Sequence, residues 1–128
     1  MIRLVMAALL AISTCSCTSS NNSAKSGAIT HIIVVWLKKP GDQAARQQVI
    51  SESKKLRDIP GVRSVRTGTV LASERQVVDS TFDVAIVMTL DSKADLANYT
   101  AHPKHQALVQ NVIRPLVDHY KVYDIENR

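Results

Sequence analysis

The sequence predicts a single α+β domain whose elements follow in the order strand, helix, strand, strand, helix, strand. The chain has 128 residues, which is room for one domain. Residues 31–37 and 81–90 are apolar and rich in β-branched side chains, as buried strands are. The segment that follows each run has helical periodicity, and Pro, Gly and Ser residues mark the ends of the elements.

The first half of the domain predicts a strand followed by a helix. Residues 31–37 are apolar on both alternating faces, and the Lys-Lys-Pro-Gly sequence of residues 38–41 closes the strand. Asp42 is placed to cap a helix that runs to about Asp58, where residues 59–61 stop it. The inner side of this helix is expected to carry Ala45, Val49, Ile50, Ser53 and Leu56.

The next segments predict two strands joined by a polar connection. Residues 62–71 form the second strand, residues 72–80 the connection, and residues 81–90 the third strand. The third strand is again apolar on both faces. Asp91 or Ser92 then starts the second helical region.

Pro103 divides this helical region into two pieces, because proline cannot donate the backbone hydrogen bond that a continuous helix needs. The second piece runs from Pro103 to about Arg114, and residues 120–125 then alternate in polarity like a half-exposed strand. The apolar side of the second piece is expected to carry His105, Leu108, Val109, Val112, Ile113 and Leu116.

This element order is typical of the ferredoxin-like βαββαβ arrangement, an antiparallel sheet with its helices on one face. Helices can cover only one face of such a sheet, yet the first and third strands are apolar on both faces. The open face would leave a large apolar patch exposed. A second copy of the same sheet is the simplest cover, and we therefore expect a homodimer.

The N-terminal segment predicts export and lipid attachment. Arg3 precedes an apolar run, residues 4–12, which is too short to span a bilayer and is typical of a signal peptide. Cys15 and Cys17 follow among small residues, as in a bacterial lipoprotein signal. Ser16 favours Cys17 as the lipidated residue, whereas an ordinary cleaved signal containing both cysteines is the alternative.

These boundaries predict a signal peptide over residues 1–16, a flexible tether over residues 17–29 and a folded domain over residues 30–126. The tether is rich in Ser and Asn, which do not bury enough apolar surface to order a segment. The predicted location is the bacterial cell envelope, with the exported domain anchored to a membrane through its lipid.

The charge distribution argues against nucleic-acid binding. The chain has 16 Lys and Arg against 11 Asp and Glu, and the basic residues are scattered rather than clustered on one segment. No Gly-rich phosphate-binding loop occurs, so no nucleotide cofactor is expected.

Four segments carry a family pattern: residues 31–33, residues 59–62, residues 82–85 and above all residues 99–105, which read Y-x-x-H-P-x-H. Together they resemble the stress-responsive α/β-barrel (Dabb) family over residues 30–126. The resemblance implies a dimeric α/β barrel, in which two four-stranded sheets face each other around an interior that can hold a small organic molecule.

The family includes a plant polyketide cyclase that closes its product ring by aldol condensation, with a histidine base assisted by a tyrosine. The resemblance implies that His105 corresponds to this base, Tyr99 to the tyrosine and His31 to a further histidine on the first strand. The plant enzyme has another histidine early in its third strand, where this chain has Val84. Part of that site is therefore missing.

Histidine titrates near neutral pH, so His31, His102 and His105 are candidates for proton transfer. Tyr99 could donate a hydrogen bond to a developing enolate. For His102 we expect helix capping, because a residue before proline is kept out of helical geometry. His105 could equally be a general base or a structural histidine packed under the sheet.

No metal site is expected, because Pro103 interrupts the His102 and His105 pair and no carboxylate or cysteine cluster accompanies it. Two classes of function remain open. One is a homodimer that binds a small organic ligand without reaction, and the other is an enzyme of the polyketide cyclase or lyase type with His105 as general base.

Overall fold

The computed structural model describes residues 26–128, which form a four-stranded sheet with helices packed on one face. The strands are β1 (Ile29–Leu37), β2 (Val62–Thr69), β3 (Val84–Leu90) and β4 (Val117–Glu126). Helix α1 spans Gln43–Lys54 and continues into the 3-10 turn Lys55–Asp58, and α2 spans Lys93–Ala101. Helix α3 begins with Pro103–Leu108, continues through the π-helical turn Val109–Ile113 and ends with Arg114–Leu116.

The strands lie in the spatial order β2-β3-β1-β4, and each neighbouring pair is antiparallel. The two central strands, β1 and β3, are those whose sequences are apolar on both faces. The polar sequences of β2 and β4 lie at the edges, where one side of the strand meets water. This topology confirms the predicted ferredoxin-like fold.

One face of the sheet packs against the helices and forms the core. Along β1 the buried positions alternate from Ile29 to Leu37, and on β3 they are Val84, Ile86, Met88 and Leu90. The predicted inner side of α1 is confirmed, since Ala45, Val49, Ser53 and Leu56 are buried and Ile50 is half-buried.

Within residues 26–128, no helix lies over the other face of the sheet. Its centre is formed by cross-strand pairs of half-buried residues, Ile32 with Val87 and Val34 with Ala85. Strand β4 extends this surface with Tyr123 and Ile125, which are 51% and 48% exposed. We call these six residues the open apolar face.

The predicted helix caps are present. Asp42 and Ser92 each accept a hydrogen bond from the backbone N–H three residues later, at 3.0 Å and 3.1 Å. His102 is the N-cap of α3, and its Nδ1 accepts from the backbone N–H of Lys104 at 3.1 Å. These contacts satisfy N–H groups that the first turn of a helix leaves unpaired.

The folded domain begins earlier than the sequence pattern predicts. Ile29 is already in β1, Ala28 is fully buried, and the backbone N–H of Gly27 donates to the carbonyl of Asn127 at 2.9 Å. Residues 27–29 therefore belong to the fold rather than to a flexible tether. Strand β4 likewise begins at Val117 instead of 120, because backbone pairing with β1 extends its ladder.

Strand β3 starts at Val84 rather than at residue 81, because Asp83 just before it makes hydrogen bonds to other elements. Its backbone N–H donates to Val35 at 2.8 Å, and its buried carboxylate accepts from the backbone N–H groups of Leu37 and Gly41 at 2.9 Å and 2.8 Å. Arg46 donates to the same carboxylate at 2.8 Å. Asp83 thus ties β1, the turn after it and α1 to the start of β3.

The predicted signal peptide, the lipidation site Cys17 and the N-terminal part of the tether lie outside the described residues. Within residues 26–128, the structure contains no helix that is both long and apolar enough to cross a membrane.

Candidate functional site

A cavity of about 320 Å³ lies between the helix-covered face of the sheet and helices α2 and α3. Strands β1, β3 and β4 supply one wall, and helices α2 and α3 supply the other together with the 3-10 turn that follows α1. The apolar part of its lining comprises Ile33, Val35, Leu56, Ile86, Leu96, Leu108, Val109, Ile113 and Val122. Six residues with polar groups complete it: His31, Tyr99, Thr100, His105, Tyr120 and Asp124. A few polar groups in an apolar cavity are typical of small-molecule sites.

Tyr99 and His105 line the helix wall together. Tyr99 is 2% exposed, and its ring centroid lies 4.7 Å from that of His105. His105 Nδ1 donates to the backbone carbonyl of Thr100 at 3.0 Å. A carbonyl only accepts, so the neutral imidazole carries its proton on Nδ1 and keeps a lone pair on Nε2.

Burial changes the acid–base properties of both side chains. Desolvation lowers the pKa of His105 below its ordinary value of 6.5, the hydrogen bond to Thr100 opposes this change, and the nearby imidazole of His31 adds to it. Desolvation also raises the pKa of Tyr99. His105 is therefore neutral at pH 7 and able to accept a proton, and Tyr99 is a neutral hydrogen-bond donor.

His31 lies on the strand wall and is paired with Asp124. The two residues are directly opposite each other in the β1–β4 ladder, and His31 Nδ1 donates to Asp124 Oδ1 at 2.5 Å. The His31 side chain is only 9% exposed, whereas that of Asp124 is 47% exposed. The rings of His31 and Tyr99 also meet edge to face, with centroids 5.6 Å apart.

The fold therefore brings His31, Tyr99 and His105, the three residues singled out in the sequence, to one cavity. Their catalytic roles stay a prediction. His102 does not line the cavity, because its side chain caps α3. Val84, which stands where the plant cyclase has a histidine, is fully buried in the core away from the cavity lining.

Sequence reasoning missed Asp124. The sequence feature that could have indicated it is a carboxylate in the alternating pattern of residues 120–125, on the same side of the strand as Val122. Its pairing with His31 depends on the register between β1 and β4, which are separated by most of the chain. Local pattern cannot supply that register.

Within the part of the chain that the structure describes, no three His, Cys, Asp or Glu side chains are grouped so as to hold an ion. The chemistry available in the cavity is that of two imidazoles, two phenols, a threonine hydroxyl and a carboxylate.

The sequence matches the family model described as Stress responsive A/B Barrel Domain over residues 29–127. The chain belongs to the Dabb family. The match covers the whole described fold from β1 to the end of β4. The search of curated proteins found no match to this Dabb protein.

Solved structures with the same fold include a Dabb family protein, proteins of unknown function and a lyase. A Dabb family protein from Mesorhizobium loti is 24% identical, with a TM-score of 0.66 over 80% of this chain and 99% of that one. A dimeric ferredoxin-like protein of unknown function from Thermobifida fusca is 23% identical, with a TM-score of 0.67 and coverage of 84% and 97%. A hydroxynitrile lyase from Passiflora edulis is 21% identical, with a TM-score of 0.70 and coverage of 81% and 96%.

Proposed function

We propose that this Dabb domain binds a small, largely apolar carbonyl compound in its cavity and catalyses proton transfer on it, as in aldol-type formation or cleavage of a carbon–carbon bond. The observation that carries this proposal is the pairing of Tyr99 and His105 in one apolar cavity, with Nε2 of His105 free to accept a proton. A half-buried base beside a buried phenol is suited to substrates that pass through an enolate.

In the proposed reaction, His105 Nε2 removes a proton from a carbon beside the carbonyl group, and the Tyr99 hydroxyl donates a hydrogen bond to the oxyanion that forms. The largely apolar lining lowers the local dielectric around the oxyanion and so strengthens this hydrogen bond. The volume of about 320 Å³ favours a molecule of about ten to fifteen non-hydrogen atoms.

The Passiflora edulis hydroxynitrile lyase supports the enzyme class, because it is a lyase with the same fold. The Thermobifida fusca protein supports self-association, because it is a dimer with the same fold. We propose a homodimer in which the open apolar faces of two copies cover each other, since a single chain leaves Tyr123 and Ile125 half exposed.

We also propose that the mature protein is a lipoprotein of the bacterial cell envelope, anchored through Cys17. The support for this proposal is the short apolar segment before Cys17 and the polar residues that follow it. The cavity would then be held close to a membrane surface, where small apolar compounds collect.

The test is deuterium exchange of 1-phenylpropan-2-one in D₂O, followed by proton NMR with the tether-free domain as catalyst. We expect the protein to accelerate deuterium exchange at the carbon beside the carbonyl group. His105→Gln should lower this rate by about a hundred- to ten-thousand-fold. His102→Asn is the matched control, because asparagine also caps helices and residue 102 lies outside the cavity. Saturable binding without exchange would favour the non-catalytic ligand-binding dimer instead.

A further inference from the structure

The cavity has a second acid–base group on the wall opposite His105. His31 projects from β1, His105 projects from α3, and the Tyr99 ring contacts both. The centroid distances from Tyr99 are 5.6 Å to His31 and 4.7 Å to His105. A molecule in the cavity would therefore have an imidazole on each side of it.

The two imidazoles have opposite electrostatic surroundings. The Nδ1 of His105 faces the neutral carbonyl of Thr100, whereas the Nδ1 of His31 faces the carboxylate of Asp124 at 2.5 Å. An ionised carboxylate accepts hydrogen bonds and stabilises an adjacent imidazolium. The two imidazoles therefore differ in the group that each holds through Nδ1, a carboxylate for His31 and a backbone carbonyl for His105.

We propose that the two histidines divide the proton transfers, with His105 as general base and His31 as general acid, and that Asp124 is the positioning residue of His31. Asp124 fixes the imidazole orientation and keeps the proton of the neutral form on Nδ1, so that Nε2 is the atom that exchanges a proton with substrate. This inference depends on the function proposed above and assigns a partner to its base.

The division can be written for the cleavage of a β-hydroxyketone, 4-hydroxy-4-phenylbutan-2-one. His105 Nε2 takes the hydroxyl proton, and the O–H electron pair becomes the carbonyl bond of benzaldehyde. The carbon–carbon bond breaks, and its electron pair forms the enolate of acetone, whose oxygen accepts a hydrogen bond from Tyr99. The His31 imidazolium donates its Nε2 proton to the enolate carbon, which gives acetone. One proton leaves the substrate and one returns, so no oxidant or reductant takes part.

The experiment separates the base step from the acid step in the tether-free domain. Deuterium exchange of 1-phenylpropan-2-one needs the base to form the enolate, whereas cleavage of the β-hydroxyketone also needs the acid. For Asp124→Asn we expect cleavage to fall about a hundredfold, while exchange falls much less. His105→Gln should reduce both rates together.

Asp118→Asn is the matched control. Asp118 is also on β4 and is also paired with a histidine, since His119 Nδ1 donates to Asp118 Oδ2 at 2.7 Å. This second pair lies outside the lining of the cavity between sheet and helices. Asp118→Asn should leave both rates at the parent value.

Nitrogen-15 NMR of the imidazoles gives a readout that does not depend on turnover. We expect neutral His31 to carry its proton on Nδ1 in the parent protein and in Asp118→Asn, and to lose this preference in Asp124→Asn. A proton on Nε2 in the parent overturns the inference. Equal loss of exchange and cleavage in Asp124→Asn, or loss of neither, overturns it as well and leaves the proposed function standing. Absence of exchange in the parent rejects the proposed function itself, and with it the division of roles.

Discussion

The rings of Tyr99 and His105 lie 4.7 Å apart, although the residues belong to different helices that Pro103 separates. The side chain of His102 caps α3, at the break in the helix between the two residues. A continuous helix would place residues 99 and 105 more than one and a half turns apart, on different faces. The break at Pro103 is therefore what brings both side chains to one cavity.

Tyr99→Phe should separate packing from chemistry. Phenylalanine keeps the ring contacts with His31 and His105 but removes the hydroxyl donor. We expect the deuterium exchange rate to fall about a hundredfold, which is the usual effect of losing one oxyanion donor. Thermal unfolding should show nearly parental stability, and unchanged exchange would rule out the hydroxyl as the donor.

The pH dependence of exchange should follow the titration of His105. Burial lowers the pKa of this side chain below 6.5, so its neutral, base-competent form persists to lower pH than that of an ordinary histidine. Activity should be constant around neutral pH and fall only at a pH below 6.5. The same shift makes the folded protein lose stability as the pH drops below 6.5, because the unfolded chain binds the proton more strongly. If the exchange rate already begins to fall above pH 6.5 as the solution is acidified, the assignment of His105 as the base is contradicted.

Asp83→Asn should destabilise the fold by about 3 kcal/mol, since it leaves the guanidinium of Arg46 without its buried carboxylate. Urea unfolding measures this change, and Asp79→Asn, at an exposed site in the same connection, should have no measurable effect. Burial alone would raise the pKa of Asp83, but hydrogen bonds from Leu37, Gly41 and Arg46 lower it overall. The stability from Asp83 is therefore present above pH 3.8 and lost as the pH falls further.

Two adjacent lysine substitutions on β3 should have different outcomes. Ile86 is 3% exposed on the helix side of the sheet, so Ile86→Lys should unfold the domain. Val87 belongs to the open apolar face, so Val87→Lys should leave a folded monomer. Light scattering with circular dichroism distinguishes these states. A Val87→Lys variant that stays dimeric would show that the two copies associate through another surface.

Cys17→Ser should release the full-length protein from the membrane fraction. Stable anchoring depends on acyl chains, because each buried methylene contributes about 0.8 kcal/mol. Mass spectrometry of the parent should find a diacylglyceryl group on Cys17, and Cys15→Ser is the control that should stay anchored. A mature protein that begins at another residue would disprove lipidation at Cys17.

The sequence alone determined the element order, the helix caps and the antiparallel sheet with one covered face. These features depend on short-range patterns: apolar runs, the capping positions of Asp42 and His102, and the break at Pro103. The Y-x-x-H-P-x-H stretch pointed to Tyr99 and His105 through its resemblance to the Dabb family, and both residues line the cavity.

Tertiary structure decided what local pattern leaves undetermined. Strand β4 pairs with β1 across nearly the whole domain, and only this register places Asp124 against His31. Asp83 gave no sign of its role until the ends of β1 and α1 met around it. Which of Ile86 and Val87 faces the helices was also open, because β3 is apolar on both sides and a shift of one residue exchanges its faces. The sequence specified the segments, and long-range pairing specified which side chains share a site.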